Sequence, residues 1–251
     1  MGHENMTNHE QLAERRPLSG DVVEPPPGGR YPEWREHRGR TVALEPLDPE
    51  RHTGDLYDLS HGEQGSRTIW DYLPYGPFPD RAAFGDWLRS CAASADSMFF
   101  AVRDGESGRA SGMASYLNIV PLQGSIEIGH IWFAPAIQAT TATTEAIYLM
   151  MRYAMTDLRY RRLEWKCNAL NTASRRAANR LGFQFEGIFY NHVIVKGHNR
   201  DTAWYSIIDR EWSAIDNSFQ RWLDPSNFDA DGRQKLSLSN LNRGGEEQGI
   251  T

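Results

Sequence analysis

The sequence predicts an α/β (α+β) fold: one mixed, mostly antiparallel, twisted sheet with flanking helices, plus a further helix in a C-terminal tail. Three observations lead there. Segments of period two alternate with segments of helical period, without an internal repeat. Two pairs of strand-like segments are joined by short turns, "GESGR" and "KGHNRD", which is how antiparallel neighbours connect. Hydrophobic residues make up 39% of the chain, enough to fill a core between such layers.

Residues 1–30 are polar, lack a hydrophobic period and end in "EPPPGGR", so they read as a mobile arm. The domain spans 31–212. "RTVALEPL" alternates Val42 and Leu44 with polar neighbours and is the first strand. "DPERHTGDLYDLS" is a helix with Asp48 as N-cap and Pro49 at its first position. "TIWDYLPYGPFPD" breaks regularity with three prolines and carries Trp70, Tyr72, Tyr75 and Phe78. In "DRAAFGDWLRSCAAS", Ala83, Phe84, Trp87, Leu88 and Cys91 recur at helical spacing. "SMFFAVRD", "ASGMASYLNIV" and "SIEIGHIWF" are three strands in succession. A helix from Ala142 to Leu158 gathers Ile147, Met150, Met151, Ala154 and Leu158 on one face. "RRLEWKCN" is a strand, and a short helix runs from a Ser174 cap to a Gly182 stop. "GIFYNHVIVKGHNRDTAWYSIID" supplies the last two strands. In the tail, 213–251, "AIDNSFQRWL" is amphipathic, and beyond it the chain reads as polar and loose.

Composition excludes several classes. Net charge is −6, which does not suit a nucleic-acid backbone. No run approaches the roughly 18 apolar residues of a membrane span, and the N-terminus lacks the apolar region of a secretory signal. Cys91 and Cys167 are the two cysteines, without CxxC spacing, and the histidines show no HExxH or HxxxH pairing. The expectation is a cytoplasmic protein with reduced thiols and no metal.

One carboxylate, Glu127, stands in the apolar strand "SIEIGHIWF". After that strand a turn carries four threonines and no glycine. A helix N-terminus offers unpaired N–H groups and partial positive charge, so such a turn can cradle an anion. A threonine that merely caps the helix is the alternative.

Four pieces, in order and spacing, resemble the GCN5-related N-acetyltransferase superfamily, above all its branch of ribosomal-protein N-terminal acetyltransferases. They are "EIGHIWF" (Glu127 to Phe133), "QATTAT" (Gln138 to Thr143), "NALNTAS" (Asn168 to Ser174) and "LGFQFEG" (Leu181 to Gly187). The likeness runs from about Gly39 to Trp212. It implies the acyl-CoA N-acyltransferase fold, acetyl-CoA as cosubstrate and a primary amine as acceptor, on a small molecule or a protein N-terminus. The partners implied are those two alone, in a monomer or homodimer.

The resemblance also assigns roles. Glu127 is the general base; its apolar neighbours, on a strand face shared with Gly129, Ile131 and Phe133, would raise its pKa. Backbone N–H groups of Ile131 and Phe133 meet the thioester oxygen. Gln138, Ala139, Thr140, Thr141, Ala142 and Thr143 align with the pyrophosphate loop, where Thr141 and Thr143 replace the family's glycines. Asn171 bonds the pantetheine arm. By the resemblance Ser174 would protonate the leaving thiolate; Ala178 stands where many members have a tyrosine acid, and a thiolate that leaves without help is the alternative. Trp70, Tyr72 and Tyr75 line the acceptor pocket, with Asp71 nearby. Cys167 reads as a core thiol, and His130 and His192 as packed strand histidines. The glycine and tyrosine losses leave a second reading, a non-catalytic acyl-CoA-binding sensor. A third is an interaction module built on Trp222.

Overall fold

The structure, a computed structural model, describes Val23 and residues 29–63 and 65–244. Most of the expected arm, and residues 245–251, lie outside the described residues. Strands β1 (His37–Arg38) and β2 (Val42–Pro46) precede helices α1 (Pro49–His61) and α2 (Arg81–Ala92). Then come β3 (Ser97–Asp104), β4 (Ala110–Val120), β5 (Ser125–Phe133), α3 (Thr141–Arg152), β6 (Arg162–Asn168) and α4 (Thr172–Arg180). The chain continues through β7 (Gln184–Val195), β8 (His198–Ile208), α5 (Asp209–Leu223) and α6 (Leu238–Asn242). The strands form one sheet in the order β1-β2-β3-β4-β5-β6-β8-β7, antiparallel throughout except for β5–β6.

Each face of the sheet buries its own layer. On one face Ile126, Ile128, Tyr116 and Leu163 meet Ala146, Ile147 and Met150 of α3. On the other, Phe99, Met113 and Trp132 meet Leu56 of α1 and Phe84 and Leu88 of α2. Each such side chain contributes about 1.5–3 kcal/mol of burial. Asp48 caps α1 by accepting from the Glu50 N–H, with Pro49 at the first position, as its sequence implied. α3 stops at Arg152 and widens into a π turn, Tyr153–Asp157, so the single helix expected to Leu158 is two pieces. Glu145 of α3 is buried and accepts from the N–H groups of Arg40 and Thr41, both at 2.7 Å. Gly39 permits this approach, since a Cβ there would lie 2.6 Å from the Glu145 carboxyl carbon.

The tail differs from its sequence reading. Its helix, α5, begins at Asp209, where Glu211 accepts the Ile208 N–H at 3.0 Å. Trp212, Ile215, Phe219 and Trp222 are buried in the α3-side core, and Phe219 stacks on Tyr148 at 4.7 Å. The segment after Leu223 is fastened. Asn227 donates to the Trp222 and Leu236 carbonyls, and Leu238 and Leu241 of α6 are buried. Trp222 therefore packs on its own chain, which removes the basis for an interaction module built on it.

Candidate active site

β5 and β6 pair at Ser125↔Arg162, Ile126↔Leu163 and Glu127↔Glu164, and then diverge. Between the diverging halves opens a cleft of about 770 Å³. It is lined by Glu127 to Phe133 of β5, Trp165 to Asn168 of β6, and residues of α3, α4 and the 68–74 loop. The Ala134 N–H bonds Ser111 O on the β4 side. Backbone N–H groups alternate along a strand, so those of Phe133 and Ile131 point to the opposite edge, into the cleft.

β5 carries a bulge. Gly129 pairs with Ser115 and Trp132 with Met113, so His130 and Ile131 oppose a single residue. His130 takes a left-handed φ of 52°. The extra residue reverses the alternation, so Trp132 joins the α1/α2 core while Ile131 and Phe133 pack against the α3-side core. Glu127 and Gly129 therefore do not share a face with Ile131 and Phe133, contrary to the unbroken alternation read from sequence. The bulge also sets His130 in the cleft, where its Nδ1 lies 3.1 Å from the Tyr75 hydroxyl. Burial keeps the Tyr75 phenol protonated, and burial together with the charge of Arg200 pushes the His130 imidazole down.

The surroundings of Glu127 are polar, not apolar. Lys166 Nζ lies 2.8 Å from its Oε2, and Asn118 Nδ2 donates to the same oxygen at 2.6 Å. Asn118 reaches it from a β4 irregularity, with φ of 47°. Oε1 has no hydrogen-bond partner among the described residues. It faces Gly129, where a Cβ would sit 3.6 Å away. A carboxylate held through one oxygen presents the other to a proton.

At the far end of the cleft, α3 begins with an open N-terminus. Thr140, in the N-cap position, makes no capping bond; its hydroxyl donates to Ile137 O at 2.7 Å. Thr143 donates to Thr140 O at 3.0 Å. The Thr140 and Thr143 hydroxyl protons are thus spent on carbonyls, and the first helical N–H groups face outward without a side-chain cap. Ala139 holds the left-handed conformation of the turn at φ 60°, whereas Thr141 and Thr143 are helical and need no glycine. Across from this end, α4 brings Arg176 and Arg180 to the cleft wall, and Arg180 bonds Thr144 Oγ1 at 3.0 Å. Uncapped N–H groups and two guanidinium groups give this end of the cleft a positive character.

The acetyltransferase (GNAT) domain family matches residues 41–184. The chain belongs to this family. It is 30% identical over 173 residues to the Bacillus subtilis (strain 168) protein named "Putative ribosomal N-acetyltransferase YdaF", covering 67% of this chain and 90% of that one. Among solved structures, a GCN5-related N-acetyltransferase from Brucella melitensis superposes with a TM-score of 0.83 at 44% identity, covering 86% of this chain and 97% of the other. A "probable acetyltransferase (GNAT family)" from Chromobacterium violaceum ATCC 12472 follows with a TM-score of 0.72 at 40% identity, over 78% and 98% of the two chains. The protein is accordingly an acyltransferase with the GNAT fold, and the family's activity is N-acetyl transfer.

Against this GNAT frame, the cleft gathers Glu127, Ile131, Phe133, Gln138, Ala139, Thr143, Asn171, Ser174 and Tyr72. Thr140, Thr141 and Ala142 stand at the helix end without lining it, and Ala142 is a core residue. Gln138 ties the turn to the strand through Phe133 O at 2.8 Å. The cap of α4 is Asn171, which accepts the Ser174 N–H at 3.0 Å; Ser174 itself lies inside the helix. Ser174 Oγ accepts from Trp165 Nε1 at 3.0 Å. Trp70 is fully buried among Phe78, Phe84, Trp87 and Trp132, so it builds core and not an acceptor wall. Tyr75 stands one layer back, behind His130. Cys167 is buried, which pushes its thiol up and makes it a poor nucleophile. His192 pairs with Thr202 Oγ1 at 3.0 Å on the β7–β8 hairpin. Asn118, Lys166, Arg176, Arg180 and Arg200 escaped the sequence reading. A signal existed for Lys166, because Arg162, Glu164, Lys166 and Asn168 alternate as the polar face of β6.

Proposed function

We propose that the protein transfers the acetyl group of acetyl-CoA to a primary amine by direct attack within a ternary complex. The observation that carries this reading is the divergence of β5 from β6 just beyond Glu127, opposite an uncapped α3 N-terminus. That arrangement fits the cosubstrate: the outward N–H groups of α3, with Arg176 and Arg180, suit its phosphates. Asn171, whose Oδ1 is engaged as a cap, keeps its Nδ2 for the pantetheine arm. The bound thioester supplies an activated acyl carbon. Phe133 and Ile131 N–H groups aim at the oxygen that gains charge as the amine attacks. The amine arrives as an ammonium, with pKa of about 10.4 if it resembles lysine. Glu127 Oε1 takes its proton, directly or through a water. Ser174, whose Oγ accepts from Trp165 Nε1, donates its own proton to the leaving thiolate in this reading. Tyr72 and Asp71 border the acceptor end, and Tyr72 closes across the mouth by donating to Leu170 O at 3.3 Å.

The test is thiol release from acetyl-CoA with a panel of primary amines, in wild type and Glu127→Gln. Amine-dependent release that falls in the variant supports the reading. Acetyl-CoA binding without turnover of any amine favours the sensor instead.

A further inference from the structure

On the Glu127 side of the sheet, the charged residues form a ladder. Glu127 meets Lys166 at 2.8 Å, Lys166 meets Glu164 at 2.8 Å, and Glu164 and Glu186 each meet Arg162 at 2.6 Å. Arg200 of β8 lines the same end of the cleft without such a partner. Its Nε is sealed from solvent, and among the described residues the guanidinium makes no hydrogen bond or ion pair. Along β8, Ala203, Tyr205 and Ile207 point into the α3-side core. Arg200, Thr202 and Trp204 therefore face the other way, with Glu127 and away from the phosphate end.

A guanidinium is donor-only, so whatever satisfies it must bring lone pairs. Its planar fork matches a carboxylate held by two parallel bonds. Arg200 lines the same cleft as His130 and Glu127, the group that would receive the amine's proton, and its charge pushes the His130 imidazole down. An ammonium alone would add positive charge beside an already unpaired cation; a zwitterion adds none.

Resting on the acetyl-transfer reading above, we infer that Arg200 anchors a carboxylate on the acceptor. The substrate is then an amine bearing a carboxylate near the reacting nitrogen, not an alkylamine or polyamine. That carboxylate belongs either to a free amino acid or to an acidic first residue of a peptide.

The experiment uses the full chain with acetyl-CoA and two matched pairs: L-methionine with L-methioninamide, and C-terminally amidated Asp-Ala-Ala with Asn-Ala-Ala. Arg200→Gln and Arg200→Lys are compared with wild type, so that differences in amine basicity cancel within each substrate. In Arg200→Gln, kcat/KM for the acid of one pair should fall at least about tenfold more than for its neutral partner, mostly through KM. The responding pair identifies the source of the carboxylate. Arg200→Lys, which keeps charge but not the fork, should recover part of the loss. Equal losses for acid and neutral partner overturn the inference, as does turnover confined to neutral amines. A calorimetric titration separates the two levels: acetyl-CoA that binds and acetylates neutral amines but no acid defeats the anchor alone, whereas binding without turnover of any amine defeats the transfer reading as well. Acetyl-CoA that does not bind defeats the transfer reading with it.

Discussion

Glu127 carries two donors on one oxygen and none on the other, and this asymmetry suits the role of base proposed for it. Glu127→Gln keeps the shape and removes the proton acceptor. The expected result is a fall in kcat of about 10²-fold or more, the usual span for general-base loss. Its acetyl-CoA affinity should stay within about threefold, because the site proposed for the phosphates lies at the other end of the cleft; steady-state kinetics with varied acetyl-CoA check both. The acid was legible in the sequence because a lone carboxylate in an apolar strand is conspicuous. Its partners were not, because Lys166 and Asn118 lie on other strands, and only sheet register brings them to it. Trp70 shows the opposite failure. An aromatic on a proline-rich loop reads equally well as pocket wall or core seal, and burial alone separates the two.

At the scale of elements, α3 does two jobs: its N-terminus opens on the cleft, and Glu145 pins the β1–β2 turn. Glu145→Ala leaves the Arg40 and Thr41 N–H groups without their acceptor, and should cost about 3 kcal/mol in urea unfolding. In the turn before α3, Ala139 bears the left-handed backbone. Ala139→Gly should raise stability or leave it level, because relief of about 1 kcal/mol of strain opposes the greater freedom of the unfolded chain. Thermal melts decide. β1 provides a pH test. Burial, and then Arg35, pull His37 down from its usual range to about 4, with Asp157 opposing. A histidine depressed in the folded state is bound by protons more tightly when unfolded. Its contribution is therefore whole above about pH 6.5 and lost as pH falls toward 4. The pH dependence of Tm across that window should be flatter in His37→Gln than in wild type. Helix and strand positions were largely readable from period and caps. The bulge at His130 was not, since nothing local in "EIGHIWF" marks an extra residue; only the pairing of β5 with β4 reveals it.

For the whole molecule, the mixed sheet follows from alternating strands and helices, while the course of the tail does not. α5 fills the α3-side core with Phe219, and α6 lies beside α4, with Asn242 donating to Arg180 O at 3.0 Å. Phe219→Ala should lower stability by about 3–5 kcal/mol in denaturant unfolding. The polar stretch between α5 and α6 hid this, because its order rests on Asn227 and on capping bonds, with few apolar side chains to form a pattern. In the cleft that this architecture holds open, a helix end without glycines or threonine caps is expected to receive the phosphates of acetyl-CoA. Calorimetric titration of the purified protein with acetyl-CoA, beside coenzyme A and ATP, measures this. Micromolar binding of acetyl-CoA is expected, about −8 kcal/mol, with ATP much weaker because it lacks the pantetheine arm. No heat of binding at millimolar acetyl-CoA would contradict it.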